Sequence, residues 1–369
     1  MARLKLGMVG GGQGAFIGAV HRIAARIDNE WELVAGALSS DPERARASGA
    51  DLGLDPARVY GSYQDMARAE AARPDGIDAV AIVTPNHMHA GPAVAFLRAG
   101  INVICDKPLA ATADQAAEIE SAVRETGKHF ILTHNYTGYP LIRQARQMVA
   151  AGALGTLRLV HVEYVQDWLT EETHNKQADW RTDPARSGAG GCVGDIGTHA
   201  YNLASFVTGL HATSLSADLD AFVPGRQVDD NVHVMLRYPG GAKGMLWASQ
   251  VAVGNENALR LRVHGTRGGL EWAQENPNVM TFTRFGEPKQ ILTRGGAGAI
   301  GAGIEGTRVP PGHPEGYLEG FATIYRDAAS IIRGTATPPA PGIGEGIEGM
   351  RFIAACIASS RSDAAWTAL

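Results

Sequence analysis

Cysteine is scarce in this chain: three residues in 369, at positions 105, 192 and 356. An odd, unspaced set of three makes neither a disulfide framework nor a zinc ribbon. Cys105 and Cys192 read as small buried spacers. No apolar run is long enough to span a bilayer. The amino terminus, Met1-Ala2-Arg3-Leu4-Lys5, enters a strand pattern at once, without the succession of a secretory leader, so the cytoplasm is the expected location. Charge is neither abundant nor one-sided. Only 19% of residues are charged and the net charge is -5, which argues against a generic nucleic-acid binder. Repeats of fixed period and low-complexity tracts are missing too. What is left, 45% hydrophobic residues in a chain too long for one ordinary core, is a globular protein with two domains expected.

The first third alternates short apolar strands with amphipathic helices. The strands read as Leu4 to Val9, Glu32 to Leu38, Asp78 to Thr84, Asn102 to Cys105 and His129 to Thr133. Helices follow at Ala19 to Ile27, from the Asp41-Pro42 start, at Ala90 to Ala99 closed by Gly100, and from Thr112. This alternation predicts a parallel, doubly wound, dinucleotide-binding sheet. From about residue 157 the strands lengthen and alternate: Arg158 to Val165, Asn231 to Tyr238, Gly244 to Val251, Leu259 to His264 and Gly269 to Ala273. They predict a largely antiparallel sheet with one covered face and one open face. Gly295 to Pro311 reads as a long loop, and two helices, 315–333 and 344–360, close the chain. The domain boundaries drawn are 1–134 and 135–369, with the final helix able to pack back on the first domain.

Three motifs carry chemistry. Gly10-Gly11-Gly12-Gln13-Gly14-Ala15 lies between the first strand and first helix, the context in which a glycine turn approaches a pyrophosphate. Gly10, Gly12, Gln13, Ala15, Phe16 and Ile17 are the candidate contacts. The spacing is irregular: the third position of the turn is Ala15, or Gly18 after a three-residue expansion. The end of the second strand falls on Ser39 and Ser40, with Arg44 beyond. No carboxylate stands there to hold a ribose diol, so NAD and NADP both remain open. Thr84-Pro85-Asn86 ends the third strand on the ligand edge, followed by His87 and His89. Of these, Thr84, Pro85, Asn86 and His89 are cofactor candidates, and the His-x-His pair has no third ligand nearby, so no metal is expected. Asp106 and Lys107 end the next strand on that edge. A partly desolvated Lys107 ammonium can polarise a substrate oxygen.

Asp195 and His199 stand four apart, on one face of a helix. The run Gly188-Ala189-Gly190-Gly191 before them permits close backbone approach. A helix start favours neutral imidazole, while Asp195 fixes its tautomer and orientation. Tyr136, Trp180, Arg181 and His313 join Asp195 and His199 as candidate substrate contacts. Loops 136–140, 166–191 and 295–315 are expected to set specificity.

Taken together, the glycine turn, Thr84-Pro85-Asn86, Asp106-Lys107-Pro108 and Gly194-Asp195-Ile196-Gly197-Thr198-His199 resemble the glucose–fructose oxidoreductase / inositol dehydrogenase / MocA-like family over nearly the whole chain. The family's usual Glu-Lys-Pro is Asp106-Lys107-Pro108 here. The resemblance implies a Rossmann domain, an α+β domain with a large open-faced sheet that often mediates oligomers, and NAD or NADP as cofactor. It also implies hydride transfer at a sugar or cyclic-polyol carbon, with Lys107, Asp195 and His199 as the catalytic set. A homodimer or homotetramer through the sheet is the expected assembly. Two alternatives share the resemblance. One is a glycosidase that oxidises its substrate transiently and then eliminates. The other is a non-catalytic nucleotide sensor, a class that tends to lose the acid/base set retained here.

Overall fold

The structure is a computed structural model that describes residues 2–175 and 177–369; Lys176, in the 166–191 loop, lies outside the described residues. It divides into two compact units, Met1–Asn135 with Leu318–Ile347, and Tyr136–Tyr317 with Glu348–Leu369. The stretch Leu318–Ile347 therefore groups with the first unit.

The first unit holds a five-stranded parallel sheet: β1 (Leu4–Gly10), β2 (Trp31–Ala37), β3 (Ala79–Val83), β4 (Asn102–Cys105) and β5 (Phe130–Leu132), in the order β2-β1-β3-β4-β5. Every residue of β3 and β4 is buried, which explains their unbroken apolar runs. The strand order reverses between β1 and β3, and ligands of such sheets bind beyond the carboxyl ends at that switch. Two helices start at the caps expected, whereas the first begins at Phe16, three residues before the expected Ala19, and a further helix, Tyr63–Ala72, stands where none is expected. Asp41 caps the helix Pro42–Asp51 by accepting the Arg44 N–H at 2.7 Å. Thr112 caps Ala113–Thr126 through the Gln115 N–H. The returning segment is anchored at Tyr325, whose carbonyl accepts the Trp31 indole N–H and whose hydroxyl meets the buried His21 ring, both at 2.9 Å. Burial holds His21 neutral, down to about 4.

Among the described residues the second unit holds nine strands: β6 (Leu157–Val165), β7 (Ser214–Asp220), β8 (Asn231–Arg237), β9 (Lys243–Ser249), β10 (Ala258–Gly265), β11 (Gly268–Ala273), β12 (Val279–Arg284), β13 (Gln290–Thr293) and β14 (Thr367–Ala368). They run in the order β13-β12-β11-β10-β6-β9-β8-β7-β14, antiparallel except for the β6–β9 pair. One face is covered by the helix Thr198–Thr208, which is buried along its whole length. The other face is open, and Met235 and Met245 are 52% and 57% exposed on it. Strands β7, β12, β13 and β14 are not legible in the sequence: they are short, or mix Ser, Thr and Asp into the alternation.

The expected long loop at Gly295–Pro311 contains one helical turn, Gly301–Glu305, and is pinned from its base. Arg294, almost fully buried, pairs with Glu315 at 2.9 Å and donates to the carbonyls of Val309, Pro310 and His313. Among the described residues, no helix is long and apolar enough to cross a membrane.

Candidate active site

The glycine turn has the geometry its composition suggests. Gly10 and Gly11 have φ of +79° and +73°, a region that side chains rarely adopt. A Cβ on Gly10 would lie 2.9 Å from the Thr84 side chain, and one on Gly12 would lie 2.7 Å from the Leu38 carbonyl. The third position falls on Gly18, since a Cβ there would sit 2.4 Å from the Gly11 Cα. The Gly12 N–H donates to the Leu38 carbonyl, the Gln13 N–H to Ser48 Oγ, and the Gln13 amide side chain to Asp51. Arg22 donates to the Gly11 carbonyl at 2.6 Å. The helix Phe16–Ile27 begins without a side-chain cap at Ala15. A turn with no room for a side chain at Gly10, Gly12 or Gly18, leading into a helix start without a side-chain cap, fits a pyrophosphate.

The β2 end carries half-buried Ser39 and exposed Ser40. Ser39 Oγ accepts the Asp41 N–H at 3.1 Å, and Arg44 is exposed on the following helix. At the β3 end Thr84 and Pro85 are half-buried and Asn86 is buried. His89 lies deeper than a cofactor contact would: its ring is 0% exposed, and its two nitrogens face the carbonyls of Pro108 and Thr84, each at 2.9 Å. It ties the β3 and β4 ends together, and burial lowers its pKa. Asp106 accepts the Lys107 N–H at 2.8 Å and the Thr133 hydroxyl at 3.1 Å. Lys107 is half-buried. Its charge is felt at buried His134, which burial first, and then the Lys107 ammonium, hold down to about 3.

In the second unit, Asp195 and His199 do stand on one helical segment, with a difference from the expected α-turn. Val193–Gly197 forms a π-helical turn, and Thr198–Thr208 continues it as α-helix. Such wide turns are frequent at functional sites because they re-aim one side chain. Asp195 Oδ2 accepts from Arg181 Nε at 3.2 Å and from Gln250 Nε2 at 2.9 Å. Arg181 also stacks on the Trp180 ring, 4.2 Å from its centroid. His199 is 6% exposed and lies edge-on to the Tyr136 ring, with centroids 4.8 Å apart; the Tyr164 ring is 6.1 Å away. The two phenol oxygens are 2.6 Å apart, and Tyr164 donates to Asn257 at 2.8 Å. Gln166 and Gln274 also bond Asn257. Burial raises both phenol pKa values, so both hydroxyls keep their protons at neutral pH. The arrangement offers an imidazole beside a carboxylate, with hydroxyls and carboxamides around it: a general base among groups suited to several substrate hydroxyls.

Tyr136 and Arg181 are thus brought to the pair, and Trp180 supports Arg181. His313 is not: it is exposed, its carbonyl accepts from Arg294 and its N–H donates to the Pro310 carbonyl. Gln250, Tyr164 and Asn257 are not among the expected contacts, and Gln166 is foreseen only as the first residue of the 166–191 loop. They sit at or just beyond strand ends, where strand periodicity ends and only register reveals a side chain's direction. The three cysteines are buried, as spacers would be, and burial pushes each thiol pKa well up.

Residues 4–145 match an oxidoreductase family with an NAD-binding Rossmann fold, and residues 142–271 match the GFO/IDH/MocA C-terminal domain. An uncharacterized oxidoreductase, YfiI of Bacillus subtilis (strain 168), is 34% identical, with 98% of this chain and 96% of the relative covered. An oxidoreductase of Sinorhizobium meliloti of known structure is 54% identical, with a TM-score of 0.91 and 99% of each chain covered. An inositol dehydrogenase homolog from Azotobacter vinelandii, solved with NAD+, is 35% identical, with a TM-score of 0.95 over 100% of this chain and 97% of its own. That protein has also been solved with NADH and myo-inositol, at a TM-score of 0.94. With both of its domain types and nearly its full length matched, this chain belongs to the GFO/IDH/MocA family of NAD-binding oxidoreductases.

Proposed function

We propose that the protein is an NAD(P)-dependent dehydrogenase that oxidises a ring hydroxyl of a cyclic polyol or sugar, or reduces the matching ketone. The observation that supports this most is the surroundings of His199. It lies one turn after Asp195, against Tyr136 and Tyr164, while Arg181 and Gln250 fix the carboxylate. Several hydroxyl-binding groups around a single base suit a polyhydroxylated substrate better than a monofunctional alcohol. His199 takes the hydroxyl proton as the C–H bond breaks, and Asp195 stabilises the imidazolium that results. Lys107, at the end of β4, is the group we assign to stabilising developing oxygen charge. The bound nicotinamide supplies the hydride acceptor. The half-buried Ser39, with no carboxylate in its place, leaves both cofactors compatible with the β2 end. The myo-inositol complex of the Azotobacter vinelandii homolog directs the first substrate choice. A panel of inositols, aldoses and anhydro-sugars, assayed with each cofactor for reduced-nicotinamide absorbance, tests the proposal. Turnover of at least one cyclic polyol or sugar is expected, and none across the panel would refute it.

The open sheet face is proposed to pair with a second copy. Strand register lays three rows across it: Asp218, His233, Trp247, Glu163 and Arg260; then Met235, Met245, His161 and Arg262; then Arg237, Lys243 and Leu159. A two-fold axis through the middle row would bury Met235 and Met245 against their copies.

A further inference from the structure

We propose that Asp229 is a positioning residue for the Asp195/His199 pair, clamping the start of the helical segment that carries both. Asp229 is 8% exposed and precedes β8, distant in sequence from the segment it holds. Its Oδ1 accepts the Gly191 N–H and its Oδ2 the Val193 N–H, each at 2.7 Å. Its main-chain carbonyl accepts the Cys192 N–H at 2.8 Å. Three consecutive amides thus end on one residue. The approach needs glycine, because a Cβ on Gly191 would lie 2.2 Å from the Asp229 carbonyl oxygen.

The clamp connects directly to the pair. The Asp195 N–H donates to the Gly191 carbonyl at 2.9 Å, and the Thr198 N–H closes the wide turn on the Val193 carbonyl. A shift of residues 191–193 is therefore carried into the backbone of Asp195 and, one turn on, His199. The preceding run, with Gly188 at φ +100°, supplies little restraint of its own. The first amides of a helical segment otherwise lack partners. A carboxylate gives them two charge-assisted bonds and places negative charge at the positive end of the segment. A second arm starts at the next residue. The Gln250 N–H donates to the Asp230 carbonyl at 2.8 Å, and the Gln250 side chain donates to Asp195 Oδ2. Residues 229 and 230 thereby hold Asp195 by its backbone and by its carboxylate. Burial raises the Asp229 carboxyl to about 6, against the pull of its two amide donors, so it is mostly ionised at neutral pH.

The role in catalysis rests on the dehydrogenase reading; the clamp itself does not, and the test separates them. Asp229→Asn keeps one acceptor and turns an NH2 toward the other amide. With the best polyol or sugar substrate, kcat should fall by about 10–100-fold, as expected for a misplaced base. NADH affinity, read by fluorescence titration, should stay within about twofold of the parent. The acid limb of the kcat–pH profile should move, because the imidazole's setting changes. Near-parental kcat, or a lower kcat with an unmoved profile, would overturn the positioning role. Hydrogen exchange decides the clamp without any substrate. Peptides spanning 189–197 should exchange faster in Asp229→Asn than in the parent, and equal rates would overturn it. If the variant does not fold, the parent protein serves: fast exchange at the amides of Gly191 and Val193 would overturn the clamp.

Discussion

Gly18→Ala isolates the packing on which the nucleotide turn depends. The added methyl would lie 2.4 Å from the Gly11 Cα and 2.7 Å from the Gly11 carbonyl oxygen, both of them backbone atoms. Ordinary carbon contacts need about 3.5–4.0 Å, so the turn and the helix Phe16–Ile27 must part by about 1 Å. No flexible side chain can absorb that shift. Overpacking of this kind costs about 1–3 kcal/mol, and each kcal/mol lowers Tm by roughly 2–4 °C in a unit of this size. The same displacement pulls the first helical amides off a bound phosphate. Losing one hydrogen bond to a charged group costs roughly 1.5–3 kcal/mol, or tenfold or more in Kd. Calorimetry and NADH fluorescence titration should therefore show a lower Tm and a Kd at least tenfold weaker. The control is Gly61→Ala, which should leave Kd within about threefold, since a Cβ at that exposed position meets nothing within 4 Å. A Gly18→Ala protein with unchanged Tm and Kd would refute the assignment of Gly18 as the third turn position.

Other outcomes follow from the same geometry. His199→Asn should lower kcat by about 10²–10⁴-fold through loss of the base, with cofactor Kd unchanged; near-normal turnover would move the base role to Lys107. Lys107→Arg should recover little of the activity lost in Lys107→Ala, because a planar guanidinium does not reproduce a compact ammonium at one oxygen; steady-state kinetics of both variants checks this. Ser39→Asp should raise the Michaelis constant for NADP far more than for NAD, since a carboxylate would face the 2′-phosphate. Unchanged constants for both would show that Ser39 does not border the ribose. Light scattering should give at least twice the chain mass of 38.9 kDa, and Met245→Glu at the exposed centre of the sheet face should reduce it to one chain, measured at micromolar concentration. A monomeric parent would end the proposal of sheet pairing.

The sequence exposes the first unit well because its signals are local. Each of β1 to β5 is a short apolar run bounded by turns and helix caps, and Asp41, Thr112 and Gly100 mark helix ends through contacts within a few residues. The second unit depends on pairings distant in sequence. Strand β7 is legible only beside β8, and β14 only beside β7. The Lys107 and Asp195/His199 motifs stand out because their spacing is short. The residues that hold them do not: Gln250 is 55 positions from Asp195, and Asp229 is 36 from Val193. His89 shows the reverse error. Its place after Thr84-Pro85-Asn86 suggests a ligand contact, whereas burial turns its ring inward onto two carbonyls.

The most direct test of the central claim is the fate of the hydrogen on the oxidised carbon. A ring polyol or sugar from the substrate panel, deuterated at the reacting carbon, is turned over with the preferred cofactor, and the reduced nicotinamide is analysed by mass spectrometry. Direct hydride transfer predicts one deuterium per reduced cofactor and a primary isotope effect when C–H cleavage limits the rate, with product formed about 10²–10⁴-fold more slowly when His199→Asn replaces the parent. Reduced cofactor free of deuterium, or no reduced cofactor with any panel member, would contradict the account.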